Sequence, residues 1–179
     1  MPGSAKQGKQ ESLQWIIDTG PQNISTVLDV GAGRGTYANL LKINNLTLSH
    51  AKWIAVEAFK PYIVHFELAK KYDTIYQEDI RNFDWSKTPN VDLAIFGDIL
   101  EHMEKTEAQA VINAALDNSK YVLISIPIVK MPQGEVHGNK YEIHVKDDWS
   151  HQEVLDSFPH IQKSKALTHL GIYWLSKHD

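Results

Sequence analysis

Val27-Leu28-Asp29-Val30-Gly31-Ala32-Gly33-Arg34-Gly35 is the stretch that decides how this chain folds. Its first four residues are an apolar run broken only by Asp29, the length of a buried parallel strand. Three glycines at alternate positions follow, and Thr36-Tyr37-Ala38-Asn39-Leu40-Leu41 then reads as helix. Strand, tight turn and helix N-terminus in that order let backbone come close to a nucleotide-like ligand. A dinucleotide fingerprint, G-x-G-x-x-G, needs its third glycine at position 36, where Thr36 stands. The spacing here is G-x-G-x-G behind an acid at the strand end.

Outward from that turn, apolar runs alternate with helical patterns, which predicts a parallel sheet covered by helices. A leading helix is expected over 11–19, stopped by Gly20-Pro21. Strands are expected at 26–30, 52–57, 74–77, 91–96 and 121–126, with helices at 36–43, 60–71 and 106–118 between them. Thr106-x-x-Gln109 reads as a capping box opening the last of these. A stretch punctuated by Pro127, Pro132, Gly134 and Gly138 follows, and long loops inside compact domains are more often functional than idle. Ser150 reads as the N-cap of a short helix ending near Pro159, before an antiparallel pair at 161–168 and 171–176.

The composition bounds the class. At 179 residues with 42% apolar and 22% charged side chains, the chain reads as one globular domain over 11–179 behind a disordered tail at 1–10. No cysteine is present, which excludes disulfides, thiolate metal sites and thiol nucleophiles. No apolar run approaches the ~18–20 residues of a membrane span, and Met1–Ser12 has no signal-peptide core, so a cytoplasmic location away from membranes is expected. The net charge of −4, 22 acids against 18 bases with no basic block, disfavours a nucleic-acid partner.

Acids recur at the ends of the expected strands. Trp53-Ile54-Ala55-Val56 ends at Glu57, where a carboxylate can accept from both hydroxyls of a ribose diol. The third strand leads to Glu78-Asp79-Ile80 and the fourth to Gly97-Asp98-Ile99-Leu100-Glu101-His102. In that order, over roughly residues 24 to 177, these parts resemble the class I S-adenosylmethionine (SAM) methyltransferases. The resemblance implies an α/β three-layer sandwich around a seven-stranded, mostly parallel sheet with an antiparallel last strand. It also implies SAM as cofactor, held by Asp29, Gly31, Ala32, Gly33, Gly35, Tyr37, Glu57, Asp79, Ile80 and Asp98. Within that set Asp79, or Glu78 with a one-residue shift, would accept from the adenine amino group while Ile80 packs on the ring.

Asp98, Glu101 and His102 stand at i, i+3 and i+4, so a helical turn puts all three on one face. The preferred reading is a capping box, with Asp98 as N-cap and Glu101 as its N3 partner. A second has His102 as a metal-free general base, with Asp98, His102 and His144 as the catalytic set. In a third, Asp98, Glu101, His102 and His144 (or His137) hold a divalent metal. Acid-x-x-Glu-His is similar to the metal-binding Glu-x-x-Glu-His of small-RNA 2′-O-methyltransferases, with Asp one methylene short. His144 ahead of Trp149 resembles the loop that covers the acceptor pocket in many small-molecule methyltransferases, and 127–149 is expected to face the substrate.

The acceptor is approached by exclusion. No Asn/Asp-Pro-Pro-Tyr/Phe follows the fourth strand, which argues against methylation of exocyclic amines. The Lys-Asp-Lys-Glu tetrad of cap-type 2′-O-methyltransferases is incomplete. The resulting expectation is methyl transfer to an oxygen (or nitrogen) of a small molecule. The alternatives are a protein or RNA-end acceptor, or a SAM-binding or SAM-degrading protein without transferase activity.

Overall fold

The computed structural model describes residues 8–88 and 90–177. Its element order is α1 (Lys9–Thr19), β1 (Thr26–Val30), α2 (Thr36–Ala38), β2 (Lys52–Val56), α3 (Lys60–His65), β3 (Thr74–Tyr76), β4 (Val91–Gly97), α4 (Lys105–Asn118), β5 (Ser119–Pro127), α5 (His151–Ser157), β6 (Ile161–Ala166) and β7 (Leu170–Leu175). The strands form one seven-stranded sheet in the order β3-β2-β1-β4-β5-β7-β6. Strands β1 to β5 are mutually parallel, and β7 runs antiparallel to both β5 and β6. The expected α/β architecture with one antiparallel strand is what the chain adopts.

Alternation along the strands sends successive side chains to opposite faces. Leu28, Val30, Ala94 and Phe96 meet Ala108, Ile112 and Ala115 of α4 and Val154 of α5 in one core. Val27, Leu93 and Ile95 meet Ile16 of α1, Tyr37 and Ala38 of α2 and Leu41 on the other face. The order reverses at β1, which pairs β2 on one side and β4 on the other. Open α/β sheets bind ligands at such a switch point, outside the carboxyl ends of the strands.

Several local expectations need correction. The leading helix starts at Lys9, not at 11, so residues 8–10 of the expected tail are structured and residues 1–7 lie outside the described residues. Lys9 is held there because its Nζ donates to Tyr37 Oη at 2.9 Å and lies 4.0 Å from the ring centre. The helix expected at 36–43 is α-helical only to Ala38 and continues as π-helical turns over Asn39–Asn44. The one expected at 60–71 breaks at Glu67, whose φ of 50° is left-handed, and a single 3-10 turn follows at Leu68–Lys70. Past that break, Leu68 and Tyr72 are both buried in the second core. The box that caps α4 is Glu104 with Glu107, not Thr106 with Gln109: Glu104 N–H donates to Glu107 Oε2 at 2.9 Å. Gln109 instead reaches the Ser157 carbonyl at 3.1 Å. Ser150 caps α5 as expected, its Oγ accepting from Glu153 N–H at 3.1 Å. No helix among the described residues is long and apolar enough to cross a membrane.

Candidate active site

The turn after β1 is tied to its neighbours by backbone: Gly31 N–H donates to the Val56 carbonyl at 2.8 Å and Gly35 N–H to that of Ala32 at 2.7 Å. Gly31 has φ +64°, and a Cβ there would lie 2.5 Å from Ile99 Cδ1, so any other residue needs a left-handed backbone and a shifted Ile99 side chain. Gly33 has φ +50° for a different reason. A Cβ there would meet nothing nearer than the Gly31 carbonyl oxygen at 3.7 Å, so the missing side chain leaves room in the cleft above the turn.

Asp29, Gly31, Ala32, Gly33, Tyr37, Glu57, Asp79, Ile80, Asp98, Glu101, His102 and His144 all line that one cleft. Gly35 does not; it sits one turn below, where a Cβ would lie 2.9 Å from Lys71 Cδ. His137 lies on an exposed turn away from the cleft, with φ +52°.

The acids are held in different ways. Asp29 is buried and accepts from Tyr72 Oη at 2.5 Å; burial pushes its carboxyl up to about 7, against the pull of Tyr72 and Lys9. Glu57 is also buried, one oxygen accepting from Gly33 N–H (2.9 Å) and the other from Phe59 N–H (2.8 Å). Burial raises its carboxyl, and those two amides oppose the rise. Each of its oxygens keeps a second acceptor position for a ligand hydroxyl. Burial works to raise Asp79, but Arg81, bonded to it at 2.6 Å, outweighs that and holds it below the usual carboxylate range. Glu78 turns to Lys87, also at 2.6 Å. Arg81 stands two residues after Asp79, and that acid–base spacing is the local sequence signal for the pair.

The block after β4 is not a capping box. Asp98 takes a left-handed φ of 57°, accepts from Ser125 Oγ at 2.9 Å and donates its N–H to the Ser125 carbonyl at 2.7 Å. The chain then makes a 3-10 turn over Leu100–His102 whose N-cap is Ile99, with no side-chain cap. Pairing to β5 draws Asp98 into the sheet end, so it cannot cap this turn. Glu101 instead points inward. It is 2% exposed, and its Oε2 has no hydrogen-bond partner. Burial pushes its carboxyl well above the usual range, and the nearby Asp98 adds to the shift.

The long loop closes on this carboxylate. The Glu101 carbonyl accepts from Val145 N–H (2.9 Å) and Lys146 N–H (3.1 Å), which brings His144 beside His102, ring centres 4.9 Å apart. Ligand atoms of Glu101, His102 and His144 all lie within 4.8 Å of one another. His102 Nδ1 lies 3.2 Å from the Ile143 carbonyl, and His144 Nδ1 2.5 Å from the Met131 carbonyl. A carbonyl only accepts, so the Nδ1 of each ring carries a proton. Burial, with His144 adjacent, lowers His102 to about 4, so it is neutral near pH 7. A buried carboxylate and two imidazoles oriented through backbone carbonyls fit a divalent cation. Asp98 is not among these three.

No protein-family model matches the chain, and no curated protein matches it in sequence. Solved structures match it over almost its full length. The N-terminal domain of EvdMO1 with SAH (S-adenosylhomocysteine) bound has a TM-score of 0.68 at 10% identity, over 97% of this chain and 82% of that one. An S-adenosylmethionine-dependent methyltransferase from Clostridium acetobutylicum gives 0.67 at 10%, over 93% and 89%. The fold is that of the class I methyltransferases. Within this fold the chain is also similar to the small RNA methyltransferase HEN1, at a TM-score of 0.64 and 15% identity, over all of this chain and 26% of that one.

Proposed function

We propose that this chain binds SAM in the cleft above Gly31–Gly35 and transfers its methyl group to a hydroxyl oxygen of a small acceptor. The cofactor reading rests on the glycine turn and Glu57 at the switch point of a class I methyltransferase sheet. Glu57 would accept from the ribose hydroxyls, Asp79 (or Glu78) would meet the adenine amino group, and Ile80 would pack on the ring. Gly31, Gly33 and Asp98 would border the methionine end.

The observation that carries the choice of oxygen is Glu101: a buried carboxylate with an unpartnered oxygen, whose ligand atom lies within 4.8 Å of ring nitrogens of His102 and His144. The proximity of these three groups supports a divalent metal held by Glu101, His102 and His144. A bound divalent cation would supply Lewis-acid polarisation that makes a hydroxyl more acidic at neutral pH. The chain's own part is to keep His102 neutral, to orient the acceptor beside the sulfonium, and to exclude water under the 127–149 loop.

A second acceptor class, a ribose hydroxyl at an RNA end, is favoured by the acid-x-x-Glu-His spacing together with His144. One experiment addresses both: methyl incorporation from labelled SAM into a cell extract, split into small-molecule, RNA and protein fractions, with and without Mn²⁺ or Mg²⁺. Label in the small-molecule fraction supports the first reading, and label in RNA the second. Full activity in EDTA, or with Glu101→Ala and His144→Ala, overturns the metal reading. No incorporation by protein that binds S-adenosylhomocysteine leaves a SAM-binding protein without transferase activity.

A further inference from the structure

One buried polar group in the cleft has no part in the chemistry above. Tyr62, on α3 five residues past Glu57, is 6% exposed, and its Oη has no hydrogen-bond partner. Its ring is packed edge-on against Phe59 (4.9 Å between centres) and against Phe66 (5.2 Å), so the hydroxyl is held in place. A buried hydroxyl left unpartnered costs stability unless something else meets it.

The loop that follows β5 supplies the surroundings of that hydroxyl. Asn139 is 2% exposed and its Oδ1 accepts from Tyr141 N–H at 3.0 Å. Glu142 is steadied by Gln133, whose Nε2 donates to the Glu142 carbonyl at 2.7 Å and lies 3.4 Å from a carboxylate oxygen. Tyr62, Asn139, Glu142 and Glu57 line the same cleft. Asn139 and Glu142 come near enough to perturb the Tyr62 hydroxyl, yet neither reaches it in bonding geometry. Glu142 lines the cleft together with both Glu57 and Glu101.

We propose that Tyr62, Asn139 and Glu142 form the upper half of the cofactor's ribose site, so that the acceptor loop is fastened down by the cofactor itself. This rests on the SAM reading above. Glu57 is acceptor-only and can take the ribose O–H protons, but the oxygens of the diol still need a donor. Tyr62 Oη is that donor; burial pushes its phenol up, so it stays protonated. From the loop side Asn139 Nδ2 is a second donor, and Glu142 shares the diol protons with Glu57. Cofactor binding therefore steadies residues 133–143 before the acceptor arrives. The ribose, rather than the acceptor, orders that wall of the pocket.

The test uses full-length protein and S-adenosylhomocysteine. Tyr62→Phe and Glu142→Gln are each expected to weaken binding about three- to tenfold by calorimetry, the loss of one hydrogen bond. The double variant should lose less than the product of the two, because both act on one group. Hydrogen exchange adds a readout that simple packing would not move. In the wild type the ligand should slow exchange across 133–143, and in Tyr62→Phe that slowing should largely vanish while α4 stays protected. Wild-type affinity and wild-type protection in both variants overturn this inference alone. A wild-type protein that does not bind S-adenosylhomocysteine overturns the cofactor reading and this inference with it.

Discussion

Replacing Glu101 by Gln should make the metal-free protein more stable, and more so as the pH rises. The carboxylate is 2% exposed with an oxygen that bonds to nothing, so its charged form is disfavoured in the fold. Its folded pKa lies well above the ordinary value of 4.5, while the unfolded chain titrates near that value. Between the two, the unfolded state has released a proton that the folded state still holds, so wild-type stability falls with rising pH. Below pH 4.5 both states are protonated and the term is absent. Above the folded pKa it is fully developed. Gln keeps the shape and removes the charge, and relief of one unsatisfied buried group amounts to about 1–3 kcal/mol. For a chain of this length that is a rise in Tm of about 2–12 °C. The assay is thermal unfolding of both proteins in EDTA from pH 5 to pH 9, then with added Mn²⁺. The expected pattern is near-equal Tm at pH 5, a widening advantage for Glu101→Gln toward pH 8, and Mn²⁺ stabilisation only in the wild type. A variant less stable than wild type in EDTA at pH 8 would refute the reasoning, because Glu101 would then be a structural partner and not a carboxylate waiting for a cation.

Further outcomes follow from the same geometry. Gly33→Val should abolish S-adenosylhomocysteine binding by calorimetry, since its side chain enters the open cleft, while the φ of +50° adds only about 1–2 kcal/mol of backbone strain; retained affinity would remove the cofactor from this turn. Glu57→Ala should weaken binding by about 1.5–3 kcal/mol, the range for a hydrogen bond to a charged group. Asp29, raised to about 7 by burial, makes the fold lose stability as pH rises from the usual Asp range to about 7; Asp29→Asn should flatten that part of the Tm profile, and an unchanged profile would contradict the burial argument.

The local elements that misled the sequence reading share a cause. The continuous helix expected at 60–71 fails at Glu67 because Leu68 and Tyr72 must both turn into the core, and propensity along the chain carries no trace of that demand. The Asp98–Glu101 pair has capping-box spacing, yet Asp98 is drawn to Ser125 on β5, a partner 27 residues away. Tyr62 lay in a helix pattern with nothing to mark its hydroxyl, because its neighbours Asn139 and Glu142 come from a loop almost eighty residues downstream.

What the sequence determined by itself is the frame: alternating apolar runs and helices dictate a parallel sheet, and the alternate glycines behind Asp29, with Glu57 and Asp79 at strand ends, mark where the cleft opens. These are local signals, because strand period, turn chemistry and strand-end position are properties of a few adjacent residues. Tertiary structure alone decided which polar groups share that cleft. Backbone bonds from Val145 and Lys146 to Glu101 bring His144 onto His102, and burial leaves Glu101 Oε2 and Tyr62 Oη without partners. Such juxtapositions arise from long-range closure of the 127–149 loop over the sheet, and an unsatisfied buried atom exists only once the rest of the chain has surrounded it.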